Sequence, residues 1–221
     1  DLYRNAGVAS RSYGLDGDVR VLKFDANLDG IVDAAAGDRV WIYFGMRRGG
    51  KNYYTLDVTD RTTPVLKWMI KGGVSGDFAE MGQSWSAPAI TKMNIGGTVK
   101  NVMVFAGGYD PNHDTKTTRG NDGQGRALYI ADADTGAKIW SGGTADTSPE
   151  TFTKTFTDMH YAIASDVNTL DMNGDGNADQ LYVGDLGGQL WRFDVANGQS
   201  GTSLVTGGVI LDVGGSTTAT N

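Results

Sequence analysis

The sequence predicts an all-β protein, a β-propeller made of four-stranded antiparallel blades. Glutamate fills only two of the 26 acidic positions, and glycine fills 33 of 221 positions. Helices favour Glu over Asp, whereas turns favour Asp and Gly, so this composition argues against helical structure. Short apolar runs rich in Val, Ile, Tyr, Phe and Trp are interrupted by turn residues about every 8 to 12 positions, which is typical of strands and hairpins.

The apolar runs repeat as one unit three times, at about 18–70, 84–142 and 158–214, and each unit has a polar loop after its first strand. First strands are predicted at 19–24, 86–90 and 161–164, second strands at 39–44, 101–105 and 180–183, third strands at 52–57, 127–132 and 189–194, and fourth strands at 65–68, 137–140 and 209–213. Units of this kind stack as blades, so we interpret 1–221 as one propeller domain or a fragment of one. A ring needs about 4 to 8 blades, so either more blades lie outside this chain or the count of three is low.

Two acidic stretches, 25–33 and 171–179, share the pattern D-x-N-x-D-G-x-x-D. Ca²⁺ takes about 6 to 8 oxygen ligands, and alternate residues of a tight turn can supply them if glycine at position six bends the chain. We predict ligation through side chains at positions 1, 3, 5 and 9 and through the backbone carbonyl at position 7. The predicted ligands are Asp25, Asn27, Asp29, Ile31 and Asp33 in the first loop, and Asp171, Asn173, Asp175, Asn177 and Asp179 in the second.

Both acidic stretches fall between the first and second strands of their units, which favours a shared metal-binding role over two unrelated solvated turns. Position 12, where a helix-loop-helix site has Glu, is Ala36 in the first and Tyr182 in the second. Calcium affinity is therefore expected in the range of about 10⁻⁵ to 10⁻³ M, which suits an exported protein. The alternative is a pair of turns built from Asp, Asn and Gly for local hydrogen bonding alone.

Composition excludes several classes of function. The formal net charge of −7 without a basic stripe argues against nucleic-acid binding. The absence of cysteine excludes disulfides, thiolate zinc sites and a cysteine nucleophile. The longest apolar run, 40–46, is too short to span a membrane, and the start at Asp1 suggests a processed or excised piece of a longer protein. His113 and His160 have no partner at metal or triad spacing, so no catalytic residues are predicted.

The segment 45–51 nearly matches a phosphate-binding loop, but Asn52 replaces the required Ser or Thr and a strand follows in place of a helix. We interpret Arg47, Arg48 and Lys51 as solvated charges of a glycine hairpin, in preference to a binding patch. The insertions 109–126 and 141–158 are open to two interpretations, a binding surface or disorder. Blade packing is the preferred role of the tryptophans, which are Trp41, Trp68, Trp85, Trp140 and Trp191.

Three stretches, 43–59, 81–88 and 182–194, together resemble the C-terminal propeller domain of the PilC/PilY family of type IV pilus biogenesis factors and tip adhesins. The resemblance implies a seven-bladed ring in a secreted, pilus-associated cell-surface protein that acts in pilus assembly and adhesion. Its implied partners are pilin or minor pilins and a host or abiotic surface, with no membrane span. It also implies that calcium bound at 171–179 influences pilus extension and retraction.

Two other interpretations remain open. An integrin-like FG-GAP propeller also carries calcium loops between neighbouring strands and acts as an extracellular binding platform. A quinoprotein dehydrogenase fragment is the enzymatic alternative, because 132–140 resembles the blade signature of that class. Those enzymes hold calcium in a central funnel, whereas the acidic residues here are predicted to lie in hairpin loops.

Overall fold

A computed structural model describes residues 13–214, which form three sheets. The first sheet contains β1 (Val19–Phe24), β2 (Arg39–Gly45), β3 (Tyr53–Asp57) and β4 (Val65–Ile70). The second contains β5 (Ala89–Ile95), β6 (Thr98–Ala106), β7 (Ala127–Asp132), β8 (Lys138–Thr144) and β9 (Lys154–Phe156). The third contains β10 (Asn168–Leu170), β11 (Gln180–Gly184), β12 (Gln189–Val195) and β13 (Val205–Asp212). Strand order follows the chain within each sheet, and every pairing is antiparallel except the parallel pair β8 and β9.

The only helical elements among residues 13–214 are short 3₁₀ turns, at Ala34–Ala36, Arg47–Gly49, Pro111–Thr115 and Gly201–Ser203. The all-β prediction is thus confirmed. No helix in the described part of the chain is long and apolar enough to cross a bilayer.

The strand predictions hold for the first sheet and need correction at the first strands of the other two. Strand β5 begins three residues later than expected and pairs with β6 up to Ile95 and Thr98, so most of the polar loop predicted between the strands 86–90 and 101–105 is itself strand. The predicted strand 161–164 is irregular, because its amides bond elsewhere: Ala162 N donates to Asp122 Oδ2 at 2.7 Å and Ile163 N to Gly125 O at 2.9 Å. Strand β10 takes its place.

The predicted polar link 141–158 is also partly strand. Strand β8 continues to Thr144, and β9 returns beside it to give the second sheet a fifth strand. The interpretation of this segment as disordered is therefore wrong.

The core lies on both faces of the second sheet. Alternate residues of β6 point to opposite faces, so Met103 and Phe105 pack towards the first sheet while Val102 and Val104 pack towards the third. Each fully buried large apolar side chain contributes about 1.5–3 kcal/mol through removal from water. The predicted role of the tryptophans is confirmed for the three buried ones, Trp41, Trp140 and Trp191. It is also confirmed for Trp68, which is half-buried and packs against the same core as Trp41, whereas Trp85 is half-buried outside both core clusters.

The first strands of the three sheets lie side by side, with β5 next to both β1 and β10. The Arg20 guanidinium lies 3.8 Å from the Asp166 carboxylate across this junction, and Asp166 also accepts a hydrogen bond from Ala87 N at 2.7 Å. The three sheets therefore stack like consecutive propeller blades around their first strands.

Candidate calcium loops

The two acidic stretches occupy equivalent places in their sheets. The first connects β1 to β2, and the second connects β10 to β11. We refer to 25–38 as the first acidic loop and to 171–179 as the second acidic loop. Both are largely exposed, so an ion from solvent can reach them.

The second acidic loop is organised by its own carboxylate and amide oxygens. Asp171 accepts hydrogen bonds from Gly174 N at 2.7 Å and from Gly176 N at 2.8 Å. Asp175 N donates to Asn173 Oδ1 at 2.8 Å. Asn177 N donates to Asp175 Oδ1 at 2.7 Å. Three of the five predicted ligand side chains thus hold the backbone of the loop in a tight turn.

The first acidic loop repeats three of these four bonds position by position. Gly30 N donates to Asp25 Oδ2 at 2.9 Å. Asp29 N donates to Asn27 Oδ1 at 3.2 Å, and Ile31 N to Asp29 Oδ1 at 2.7 Å. The glycine at position six has φ of 82° in this loop and 86° in the second, a left-handed conformation that favours glycine. The sequence pattern therefore corresponds to one backbone shape built twice.

The loops differ at their last acidic residue. In the second loop, Asp179 accepts the amide of Met172 at 2.8 Å. In the first loop, the equivalent amide, Ala26 N, donates to Asp38 Oδ1 at 2.7 Å. Asp33, the predicted ligand, instead caps the 3₁₀ turn by accepting Ala35 N at 2.8 Å.

Asp38 therefore occupies the place that Asp179 has in the second loop, and the pattern search missed it. Each of these two residues directly precedes the second strand of its sheet. Counting back from the strand, and not forward from the first aspartate, would have found Asp38. The five residues between Asp33 and the start of β2, 34–38, contain the extra 3₁₀ turn. Ligation by Asp33 itself remains a prediction.

Backbone amides keep key carboxylates of both loops ionised. The pKa of Asp171 is lowered below its ordinary value, first by the Gly176 N–H and then by other amides of the loop. The pKa of Asp38 is lowered by the N–H groups of Asp33 and Ala26. Both groups are therefore charged at neutral pH, as ligands of a divalent cation must be.

The donor set fits a calcium ion, although the side chains are turned onto the amides of their own loops. Within residues 13–214, no three carboxylate or imidazole groups are assembled closely enough to hold a metal as they stand. Each loop nevertheless has one buried oxygen without a hydrogen-bond partner, Asp25 Oδ1 in the first and Asn177 Oδ1 in the second. A carboxylate has about four lone-pair directions, so an oxygen that accepts an amide can also ligate a metal.

The insertion 109–126 is held in place by buried carboxylates. Asp122, whose side chain is fully buried, accepts from His113 Nε2 at 2.8 Å and pairs with the Lys116 ammonium. His160 Nδ1 lies 2.7 Å from Asp146 Oδ2. Both histidines thus have an aspartate partner that sequence spacing did not reveal. The insertion is ordered, so its alternative interpretation as a disordered segment is wrong.

The predicted hairpin of solvated charges at 45–51 is also different in the structure. Arg48 donates two hydrogen bonds to Asp114, at 2.6 and 2.7 Å, and Lys51 Nζ contacts Gln124 Oε1 at 2.5 Å. The Arg47 guanidinium lies 5.2 Å from the centroid of the Trp85 ring. No helix follows the segment, which agrees with the rejection of a phosphate-binding loop.

Comparison with known proteins finds one consistent group of relatives. A family model described as the PilY1 beta-propeller domain matches residues 5–205. The type IV pilus biogenesis factor PilY1 of Pseudomonas aeruginosa strain PAO1 is 32% identical over 157 residues, which cover 70% of this chain and 11% of that protein. The protein of the same name from strain PAK matches with the same values. The chain thus spans a small part of the curated relatives that it matches.

A solved structure supports the same grouping. The crystal structure of the Pseudomonas aeruginosa PilY1 C-terminal domain aligns with a TM-score of 0.55 and 28% sequence identity, over 81% of this chain and 30% of that chain. The three sheets therefore correspond to part of a larger fold in that relative.

Proposed function

The chain belongs to the PilY1 β-propeller family, and on that premise we propose that it is the calcium-binding part of a type IV pilus biogenesis factor. The family match covers 5–205 and so includes both acidic loops. In this proposal the module is exported to the cell surface and contacts pilin or minor pilins. Calcium occupancy biases pilus extension against retraction, and the module supports adhesion without acting as an enzyme.

The observation that carries the proposal is the duplicated bond pattern of the two acidic loops. The same three amides, at positions 5, 6 and 7, bond the same three side chains, at positions 3, 1 and 5, in both loops. Local turn chemistry alone explains one such loop. Its recurrence at the same place in two sheets, each time with an oxygen lacking a partner, favours a common ligand.

Electrostatics supports a divalent cation as that ligand. The only ion pair of either acidic loop within residues 13–214 joins Lys23 to Asp25 at 3.8 Å. The other carboxylates are close together in sequence and repel one another, which a bound Ca²⁺ would relieve. Calcium would supply the loops with charge neutralisation and cross-linking of the turn, and the chain supplies oxygens from carboxylates, amides and one carbonyl in each loop.

Calorimetric titration with calcium tests the metal sites directly. We expect two sites, one of which disappears in Asp175→Ala and the other in Asp29→Ala. Asp16→Ala, which removes an exposed carboxylate outside the loops, is the matched control and should retain both sites. A titration without heat of binding, supported by unchanged spectra on calcium addition, would overturn the assignment.

The same titration identifies the last ligand of the first loop. Asp38→Ala should weaken that site by at least about tenfold, because a lost charged ligand is worth about 1.4 kcal/mol or more. Asp33→Ala should have the smaller effect if Asp38 holds the place of Asp179. The reverse order would restore Asp33 as the ligand.

The role in pili is tested in cells that produce the whole protein with Asp175→Ala. The number of surface pili and twitching motility should change relative to the wild type, whereas Asp16→Ala should leave both unchanged. If calcium binding is lost in vitro and pili are unaffected, the metal is structural and the proposed control of extension and retraction is wrong.

A further inference from the structure

A cluster of cationic and aromatic side chains lies where the turn between β2 and β3 meets the segment before β5. The members of this arginine–tryptophan cluster are Arg47, Arg48, Trp85, Tyr109 and Asp114. The turn is fastened to the segment by backbone bonds: Arg47 N donates to Ser84 O at 3.1 Å, and Ser84 N donates to Gly50 O at 3.0 Å. The side chains are therefore presented on a fixed backbone.

One arginine of the cluster already holds a carboxylate. The Arg48 guanidinium lies 5.7 Å from the Trp85 ring centroid and 5.6 Å from that of Tyr109. It donates to both oxygens of Asp114, and the Tyr109 hydroxyl donates to Asp114 Oδ1 at 2.6 Å. This internal pair shows that an arginine placed against these rings can bind a carboxylate through two parallel N–H groups.

The other arginine, Arg47, lies against the same Trp85 ring and holds no anion. Arg47 lies 5.2 Å from the Trp85 centroid, and no carboxylate in the described chain forms an ion pair with it. Its backbone has φ of 49°, a left-handed conformation that non-glycine residues rarely adopt. Glycine would adopt this backbone conformation with less strain. The presence of arginine therefore indicates a role for its side chain.

The ring that supports Arg47 is itself anchored. The indole Nε1 of Trp85 donates to Gln83 Oε1 at 3.1 Å, and the Trp85 and Tyr109 rings lie 5.1 Å apart. A guanidinium held against an anchored ring loses less conformational freedom when it binds an anion.

We propose that Arg47 is an anion-binding group that takes a carboxylate from an acidic segment of a protein partner, in the way that Arg48 takes Asp114. The position suits such a partner despite the net charge of −7. Antiparallel pairing puts the turn between β2 and β3 at the opposite end of the first sheet from the acidic loop. The seven residues of β2 span about 23 Å at about 3.3 Å per residue, beyond the screening length of about 10 Å at 0.1 M salt.

The test uses a capped peptide of six glutamates as the probe and its six-glutamine counterpart as the control, both in calcium-free buffer so that metal exchange plays no part. We expect the glutamate peptide to shift the indole N–H signal of Trp85, identified by its loss in Trp85→Phe. Arg47→Gln should weaken binding by at least about tenfold, as expected for a charge-assisted two-bond contact. Arg61→Gln, which removes an exposed arginine from the turn between β3 and β4 at the other end of the sheet, should bind as the wild type does.

Arg47→Gly separates this role from a structural one. Because glycine accepts the left-handed backbone, this variant should melt at the same or a higher temperature than the wild type and still lose the peptide. A lower melting temperature would mean that Arg47 serves the fold, and unchanged peptide affinity would exclude Arg47 from binding; either result overturns the proposal. Displacement of the peptide by an equal concentration of inorganic phosphate would assign the site to phosphate ligands and overturn it as well.

Discussion

The acidic loops and the buried polar groups beside the second sheet carry their carboxylates in opposite surroundings. We call the second group the buried ion-pair network; its members are Glu80, Arg126, Tyr129, Lys138, Ser148 and Glu150. In the network, Glu80 Oε1 accepts from Arg126 Nε at 2.8 Å and Glu150 Oε1 lies 3.1 Å from Lys138 Nζ. In the loops, the carboxylates accept mostly backbone amides. The network is thus neutralised by the chain itself, whereas the loops depend on a cation from outside.

Glu80→Ala is expected to have the largest effect on stability, because it strands Arg126 inside the protein. Removing one member of a buried ion pair costs about 3–5 kcal/mol. Chemical denaturation should show this loss in the free energy of unfolding. The loss should be the same with calcium and with chelator, because the network contains its own cations.

Replacing both Glu80 and Arg126 by Met is the control for that experiment. The double variant buries no unpaired charge and should be more stable than Glu80→Ala. A loss below about 1 kcal/mol for the single variant would place the pair with exposed ion pairs and remove the contrast with the acidic loops.

Loss of calcium from one acidic loop is expected to have the next largest effect. An ion bound by the folded state alone stabilises it by about 2.7 kcal/mol for each site at a hundredfold excess over Kd. Thermal unfolding with calcium and with chelator should show this difference in the wild type and in Glu80→Ala. Asp175→Ala should lose the stabilisation that calcium gives through the second acidic loop, and Asp29→Ala should lose the stabilisation that it gives through the first. Coincident melting curves of the wild type would refute the dependence on an outside cation.

The glycine at position six allows the backbone strain of an acidic loop to be measured. Gly176 has φ of 86° and open space where the Cβ of a larger residue would lie, so Gly176→Ala meets conformational strain and no clash. We expect a loss of about 1 kcal/mol in unfolding free energy, measured by denaturation without calcium. Gly208→Ala, in a strand with equally open space and no positive φ, is the matched control and should be neutral or slightly stabilising. Equal melting of the two variants would mean that the turn is not strained.

The fold was largely predictable because its signals are local. Short runs of apolar, β-branched and aromatic residues in β2 and β12, bounded by Asp and Gly, indicate strands whatever surrounds them. The failure at 161–164 has a nonlocal cause, since Asp122 and Gly125 in the distant insertion take the amides that a strand would need. The part of the site defined by spacing, 171–179, has the expected backbone, whereas Asp38 was missed because an extra 3₁₀ turn shifts it along the chain.

The buried ion-pair network had no sequence signal of comparable strength. Its partners are separated by 46 residues between Glu80 and Arg126 and by 12 between Glu150 and Lys138. One hint was available: the only two glutamates of the chain both belong to this network. A glutamate side chain is one methylene longer than aspartate, which lets its carboxylate reach a partner on a neighbouring segment. The composition shows that glutamate is rare in this chain, but it does not show which residues the two glutamates pair with.

The smallest expected effect is a pH dependence of the network that is opposite in sign to that of the acidic loops. The pKa of Glu150 is raised above its ordinary value by burial, which outweighs the hydrogen bond from Tyr129 and the charge of Lys138. The folded protein therefore binds this proton more tightly than the unfolded chain does, so its contribution favours folding at low pH and declines as pH rises through about 4 towards the folded pKa. The unfolding free energy of the wild type minus that of Glu150→Gln should fall over this range and then level off, as urea denaturation between pH 4 and 7 in chelator would show. A difference that instead rose with pH would mean that Lys138 stabilises the charged form of Glu150 by more than burial opposes it, and the network would then resemble the amide-stabilised carboxylates of the acidic loops.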